Sequence, residues 1–323
     1  MNKHPPRNLG IDLVRATEAA ALSAGRWMGL GEPDKADQDA TESMSMVLNT
    51  LDMDGHIILG EEARLGLPSL LAAGERVGTG NGPPMDVIVD PIDGRRLLAQ
   101  GRSGAISAAA IAPRGSMWAP SAAAYMEKIA VDREAADALV PECLDAPAAW
   151  VLALVARVKK KPVRDLLVFV LERPRHADLI EEIRSAGARV MLRADGDIAG
   201  ALRAATPHAS ADILMGVGGV PEGVMAACAV KALGGAMLVR LKPQSDEERA
   251  AVEAAGLDTR QILTCDELVS GYEIFFAATG ITDGPLLAGV HYHGNRAETE
   301  SLILRGETGV RRIVDAEHRI GER

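Results

Sequence analysis

The stretch VIVDPIDGRRLLAQG, residues 87–101, ends an apolar run on Asp90 and Asp93, three positions apart and braced by Pro91 and Gly94, and follows them with Arg95 and Arg96. Other apolar runs also lead into carboxylates. HIIL runs into Glu61 and Glu62, DILM runs into GVGGVPEG with Glu222, and Asp37 and Asp39 stand in KADQDATES ahead of an expected helix. Two carboxylates about 4 Å apart repel by roughly 4 kcal/mol at an effective dielectric near 20, so a cluster of four or five requires bound cations. Magnesium or manganese suits all-oxygen donors and completes its shell with water and substrate phosphate. Taken singly, each piece has a plain structural alternative: Asp37 as a helix N-cap, Glu61 and Glu62 as a solvated turn, DPIDG as turn chemistry. Their convergence from separate segments points to an acidic divalent-metal site acting on an anionic substrate.

The elements that must position these residues read as α/β. An Ala-rich, Pro-free run over 9–28 and ATESMSMVLNTL over 40–51 predict helices. Strands are expected at GHIIL, at MDVIVD ending on Asp90, and at GAISAAAIAP. Further on, LLVFVL, ADLIEEIRSAG and ARVMLRADGD form a βαβ unit with a parallel sheet. ADILMGVGGVPEGVMAACAVKALGG then gives strand, glycine-rich turn and a helix from near Pro221 to Gly234, and EIFFAATGI gives a last strand. Ligand loops of such sheets lie beyond the carboxyl ends of the strands, which is where the polar residues fall. A boundary is expected at 130–160, dividing the chain into a metal-binding α+β region, 1–135, and an α/β substrate-binding region, 136–323.

Composition narrows the function. The chain has 323 residues, 47% apolar and 25% charged, with only 3% aromatic, so its core rests on Ala, Leu, Val and Ile. A net charge of −10 disfavours a nucleic-acid partner, and VKKKP at 158–162 reads as a solvated basic loop. No apolar run approaches a membrane span and no signal-peptide core is evident, so a cytoplasmic protein without a membrane partner is expected. Cys143, Cys228 and Cys265 are far apart with no CxxC spacing and read as small apolar residues. The glycine-rich GTGNG and GVGG lack the spacing of dinucleotide or P-loop motifs.

A strand ending in GEE followed by one ending in DPIDG resembles the lithium-sensitive, magnesium-dependent sugar and inositol phosphatase superfamily. More closely, RATEAAALSAGRWMGLGEPDKADQDATESM, MDGHIILGEE, GERVGTGNG, YMEKIAV, RPRHADLI, ADGDIAGAL, GVGGVPEGVMAA and ATGITDGPLLAGV occur in the order found in class II (GlpX-type) fructose-1,6-bisphosphatases, covering about residues 9–315. That resemblance implies a layered α-β-α-β-α fold, with a mixed sheet in the N-terminal part and a mostly parallel one in the C-terminal part. It also implies Mn2+ or Mg2+ held by Asp37, Glu61, Asp90, Asp93 and Glu222. Substrate contacts fall on Asp93, Gly94, Arg95, Tyr125, Arg173, Pro174, Arg175, Asp195, Gly196, Asp197 and Gly219, with catalysis carried by Glu61, Asp90, Asp93 and Arg95. The implied reaction removes the 1-phosphate of a sugar bisphosphate, in a homo-oligomer, dimer or tetramer. Guanidinium groups suit phosphate oxygens, and Gly219 lets phosphate approach amides at a helix N-terminus.

The chain departs from the family pattern at several points. Arg95 stands where DPI(D/E)GT carries threonine, Pro33 where lysine is usual, and Ala63 and Leu65 replace acidic residues, the second a candidate for activating water. These departures leave open a related substrate such as sedoheptulose 1,7-bisphosphate, or a non-catalytic sugar-phosphate binder.

Overall fold

Helix α1, Leu9–Ala24, buries Leu13, Val14, Ala16, Ala20 and Ala21 on one apolar stripe. It packs beside α2, Pro33–Leu48, which starts at a proline because the first helical position needs no amide. The computed structural model describes residues 9–60, 69–120 and 122–320. Helix α2 begins well before residue 40, so Asp37 and Asp39 lie inside it rather than ahead of it. Asp39 accepts a 2.7 Å hydrogen bond from the Trp27 indole, a structural role.

Strands β1, Asp54–Leu59, β2, Arg76–Val77, β3, Pro84–Asp93, and β4, Ile106–Pro113, open the first sheet. The β1–β3 pair is parallel and β3–β4 antiparallel. Contrary to expectation, β3 does not end at Asp90. Its ladder with β4 shifts register after Asp90 and resumes at Asp93, opposite Ile106, so Asp90 and Asp93 flank an irregularity inside the strand. Such irregularities re-aim side chains. The short helix α3, Arg95–Ala99, follows at once.

The chain then crosses to a second sheet with β5, Tyr125–Val131, a strand not evident from the sequence because Glu127 and Lys128 interrupt its apolar pattern. After α4, Ala148–Val158, come β6, Leu167–Leu171, α5, Ala177–Ser185, β7, Arg189–Arg193, α6, Asp197–Ala205, β8, Ile213–Gly219, and α7, Val220–Ala232. Strand β9, Ala236–Leu241, helix α8, Asp246–Ala254, strand β10, Ile262–Thr264, and helix α9, Cys265–Leu268, complete it. The order is β10-β9-β5-β8-β6-β7. Only β6–β7 and β6–β8 are parallel; β5 runs antiparallel to β8 and β9, and β9 to β10. The expected mostly parallel sheet is therefore mixed, because β5 is inserted between β8 and β9, the two strands that α7 joins.

The chain returns to the first sheet with β11, Phe275–Gly280, β12, His291–His293, β13, Arg296–Arg305, and β14, Val310–Arg319. The sheets thus do not follow a single cut at residue 135: β11 to β14 belong to the first and β5 to the second.

Three cores give the α-β-α-β-α layering. One lies between α1, α2 and the first sheet, a second between the two sheets around α6 and α7, and a third between the second sheet and α4 and α5. Helix α7 is buried all round, which suits its run of Gly, Ala and Val between two sheets. All three cysteines are buried and unbonded, as expected. In the basic run, Lys161 pairs with Asp212, but Lys159 is buried in ion pairs with Asp132 and Asp212, so that segment is not simply a solvated loop.

Candidate active site

Three helices begin at one cleft of about 220 Å³. Gly94 caps α3, Gly196 caps α6 and Gly219 caps α7, and residues of each first turn line the cavity. Helix N-termini present unpaired amides and partial positive charge, a setting that favours anions. Gly94 holds φ +102°, and a Cβ there would press within 3.2 Å of the Ala105 backbone, so the sharp exit from β3 requires glycine.

Asp93 is 4% exposed, and its carboxylate spans the gap to α6. Oδ1 accepts the Asp197 amide at 2.9 Å and Oδ2 the Ala199 amide at 2.8 Å. Burial pushes its pKa well up. The Ala199 amide opposes that shift, while the charges of Asp195, Asp197 and Glu222 add to it. Asp90 lies 5% exposed with Oδ1 accepting the Ile92 amide at 3.1 Å, and Glu222, in the first turn of α7, is also buried.

The basic residues are held as firmly. Arg173 donates to Asp195 Oδ1 at 3.0 Å and to the Ala194 carbonyl, while Asp195 Oδ2 accepts the Arg96 amide at 3.2 Å. Arg175 donates to the Val217 carbonyl and lies 5.2 Å from the centre of the Tyr125 ring. Burial, chiefly, lowers its pKa from the ordinary arginine value. Asp197 forms a buried ion pair with Lys128. Arg95 pairs with Asp37 at 3.4 Å.

Of the residues read from the sequence, Asp90, Asp93, Gly94, Arg95, Tyr125, Arg173, Arg175, Asp195, Asp197, Gly219 and Glu222 line this one cleft. Gly196 caps α6 beside it, and Pro174 starts the turn that carries Arg175 without facing the cavity. Asp37 stands behind Arg95 and does not line it. Glu61 and its neighbours Glu62, Ala63 and Leu65 lie outside the described residues. Lys128, His176 and Gly218 hold or line the site without having been given a role from the sequence, and Arg96, noted there only as the neighbour of Arg95, lines it too. A buried lysine mid-strand and a glycine at a strand end were its only signals.

Among the described residues no three His, Cys, Asp or Glu side chains form a ready-made metal cage. The donor chemistry nevertheless fits a hard divalent cation: Asp90, Asp93 and Glu222 offer oxygens, and the described residues that line the cleft include neither histidine nor cysteine.

The sequence profile of the family described as "Bacterial fructose-1,6-bisphosphatase, glpX-encoded" matches residues 7–318. Among curated proteins, a "Fructose-1,6-bisphosphatase class 2" of Haemophilus influenzae is 38% identical over 326 residues, 97% of this chain and 96% of the relative. Two Synechococcus proteins, each named "D-fructose 1,6-bisphosphatase class 2/sedoheptulose 1,7-bisphosphatase", are 38% identical over 336 residues, 96% of this chain and 95% of each relative.

Proposed function

The chain belongs to the glpX-encoded, class II fructose-1,6-bisphosphatase family, and from that membership we propose that it hydrolyses the 1-phosphate of fructose 1,6-bisphosphate to fructose 6-phosphate and inorganic phosphate. The observation that carries this reading is one cleft in which Asp90, Asp93 and Glu222 meet Arg173 and Arg175. Carboxylates alone would repel a phosphate ester, and arginines alone would bind it without activating water. Together they suit metal-assisted phosphoryl transfer.

Asp90, Asp93 and Glu222, with Glu61 and Asp37, would hold Mn2+ or Mg2+. When bound, the metal supplies a water of lowered pKa and neutralises charge on the leaving oxygen. The chain's own groups do the positioning. Arg173, fixed by Asp195, and Arg175, fixed by Val217, offer guanidinium forks to phosphate oxygens. The N-caps of α3 and α7, Gly94 and Gly219, make no side-chain cap hydrogen bond, and the partial positive charge of a helix start favours an anion. The two carboxylates of the DGD motif are already engaged, Asp195 by Arg173 and Asp197 by Lys128, so they orient cations and offer their remaining lone pairs to sugar hydroxyls.

This family reads as a branch of the lithium-sensitive, magnesium-dependent phosphatases on its GEE and DPIDG strand ends, and as a cytoplasmic homo-oligomer. Sedoheptulose 1,7-bisphosphate is a second substrate reading, favoured by the names of the Synechococcus relatives. Phosphate release from both sugars, with Mn2+, with Mg2+ and after chelation, tests the assignment. Metal-dependent release from fructose 1,6-bisphosphate is expected. Ligand binding without any release from either sugar would leave only a sugar-phosphate binder.

A further inference from the structure

Strands β6 and β8 pair only briefly, Val168 with Ile213 and Phe169 with Leu214. Beyond that point they part towards the cleft, and the Leu171 carbonyl and Val217 amide need partners from elsewhere. His176 provides both. Its ring is 2% exposed, Nδ1 lies 2.6 Å from the Leu171 oxygen, and Nε2 accepts the Val217 N–H at 2.8 Å. Those two bonds fix the neutral tautomer with the proton on Nδ1. Position 216 leaves room for the ring: Gly216 has φ +138°, and a Cβ there would stand 3.0 Å from Nε2. The residue so fixed then holds the next one. Val217's carbonyl accepts Nε of Arg175 at 3.2 Å and its Nη2 at 2.9 Å, and the guanidinium faces Tyr125.

We propose that His176 is a positioning residue for phosphate binding: it spans the gap between β6 and β8 and thereby sets the Val217 carbonyl on which Arg175 is held. The inference rests on reading Arg175 as a contact of the sugar phosphate; His176 itself does not line the cleft.

The role has a pH signature. Burial, the largest influence, lowers the pKa of His176. The Leu171 carbonyl opposes it, and the charges facing the ring are Arg175, Asp197 and Lys128. Protonation would place a second N–H at Nε2 against the Val217 amide, two donors face to face, and break the bridge. Because the folded value is depressed, the bridge is intact above the ordinary histidine value of about 6.5 and is lost only as pH falls through the lowered one.

Calorimetric binding of fructose 6-phosphate, alongside KM and kcat for fructose 1,6-bisphosphate, tests this in wild type, His176→Leu, His176→Gln, Arg175→Ala and the double variant His176→Leu/Arg175→Ala. His176→Leu should raise KM and the fructose 6-phosphate Kd about tenfold, with kcat held within about threefold. His176→Gln, which keeps one donor and one acceptor, should recover most of that loss and flatten the acid rise in Kd. In the Arg175→Ala background, His176→Leu should add nothing. Effects that multiply in the double variant, or an unchanged Kd in His176→Leu, overturn the proposal, as does a wild type that binds no fructose 6-phosphate. Should His176→Leu fail to fold, His176→Gln and the pH dependence of wild-type binding decide. Binding without turnover in wild type would sink the hydrolase assignment, while the pattern of Kd values still decides the role of His176.

Discussion

Arg95 is the residue at which this chain departs most consequentially from the motif it otherwise follows. A threonine would offer one hydroxyl there; the guanidinium instead lies on the cleft wall and pairs with Asp37 at 3.4 Å. A cation fixed on the protein thus sits against a carboxylate that the family reading gives to a metal. A partly exposed ion pair is worth up to about 1 kcal/mol, and 1.4 kcal/mol is a factor of ten in affinity. Arg95→Thr should therefore tighten Mn2+ binding by about fivefold, read as free Mn2+ by electron paramagnetic resonance during titration. Asp37→Asn should weaken Mn2+ binding in the Arg95→Thr background far more than in wild type. Equal Mn2+ affinity in wild type and Arg95→Thr would show that the pair does not compete with metal.

At the scale of elements, the site exists because β8 can end against the start of α6. A Cβ on Gly218 would lie 1.9 Å from Asp197 Oδ2 and 2.5 Å from Lys128 Nζ, inside the buried ion pair that fixes the first turn of α6. Breaking a buried pair leaves an uncompensated charge and costs about 3–5 kcal/mol. Gly218→Ala should lower urea-unfolding stability by that order, and a loss within about 0.5 kcal/mol, the range of ordinary surface substitutions, would contradict the packing described. The sequence made part of this visible. The apolar run into Asp90, the run into GVGG and the Pro221-started helix all announce themselves by period and by Gly and Pro punctuation, and they carry most of the cleft. What stayed hidden had its polarity matched by partners elsewhere. Strand β5 shows Glu127 and Lys128 in its middle because Arg240 and Asp197 meet them across the fold. Strand β13 alternates buried Ala297 and Thr299 with exposed Arg296 and Glu298, a period of two easily taken for a polar loop. Helix α6 followed so closely on DGD that its start read as loop, and the carboxylate that accepts its first amides, Asp93, lies more than 100 residues earlier in the chain.

At the scale of the molecule, the cleft depends on chain that contributes nothing to its lining. The first sheet is closed by β11, β13 and β14 from the C-terminal end, with β11 seated between β4 and β13. Leu302, Ile303 and Leu304 of β13 are each no more than 2% exposed. Burying each such side chain is worth about 1.5–3 kcal/mol, together about 5–9 kcal/mol, against a typical total stability of about 5–15 kcal/mol. Truncation after Val290 removes β12, β13 and β14 while leaving every described cleft residue in the chain. It strips one edge of β11, whose side chains face the cores on both sides of the sheet, including the layer that holds α7 and Glu222. The truncated protein should therefore lose cooperative unfolding in urea and, with it, fructose 6-phosphate binding, although its cleft residues are intact in sequence. A single sharp transition with a midpoint near that of the full chain would show instead that the two sheets and their shared helical layer stand without the C-terminal strands.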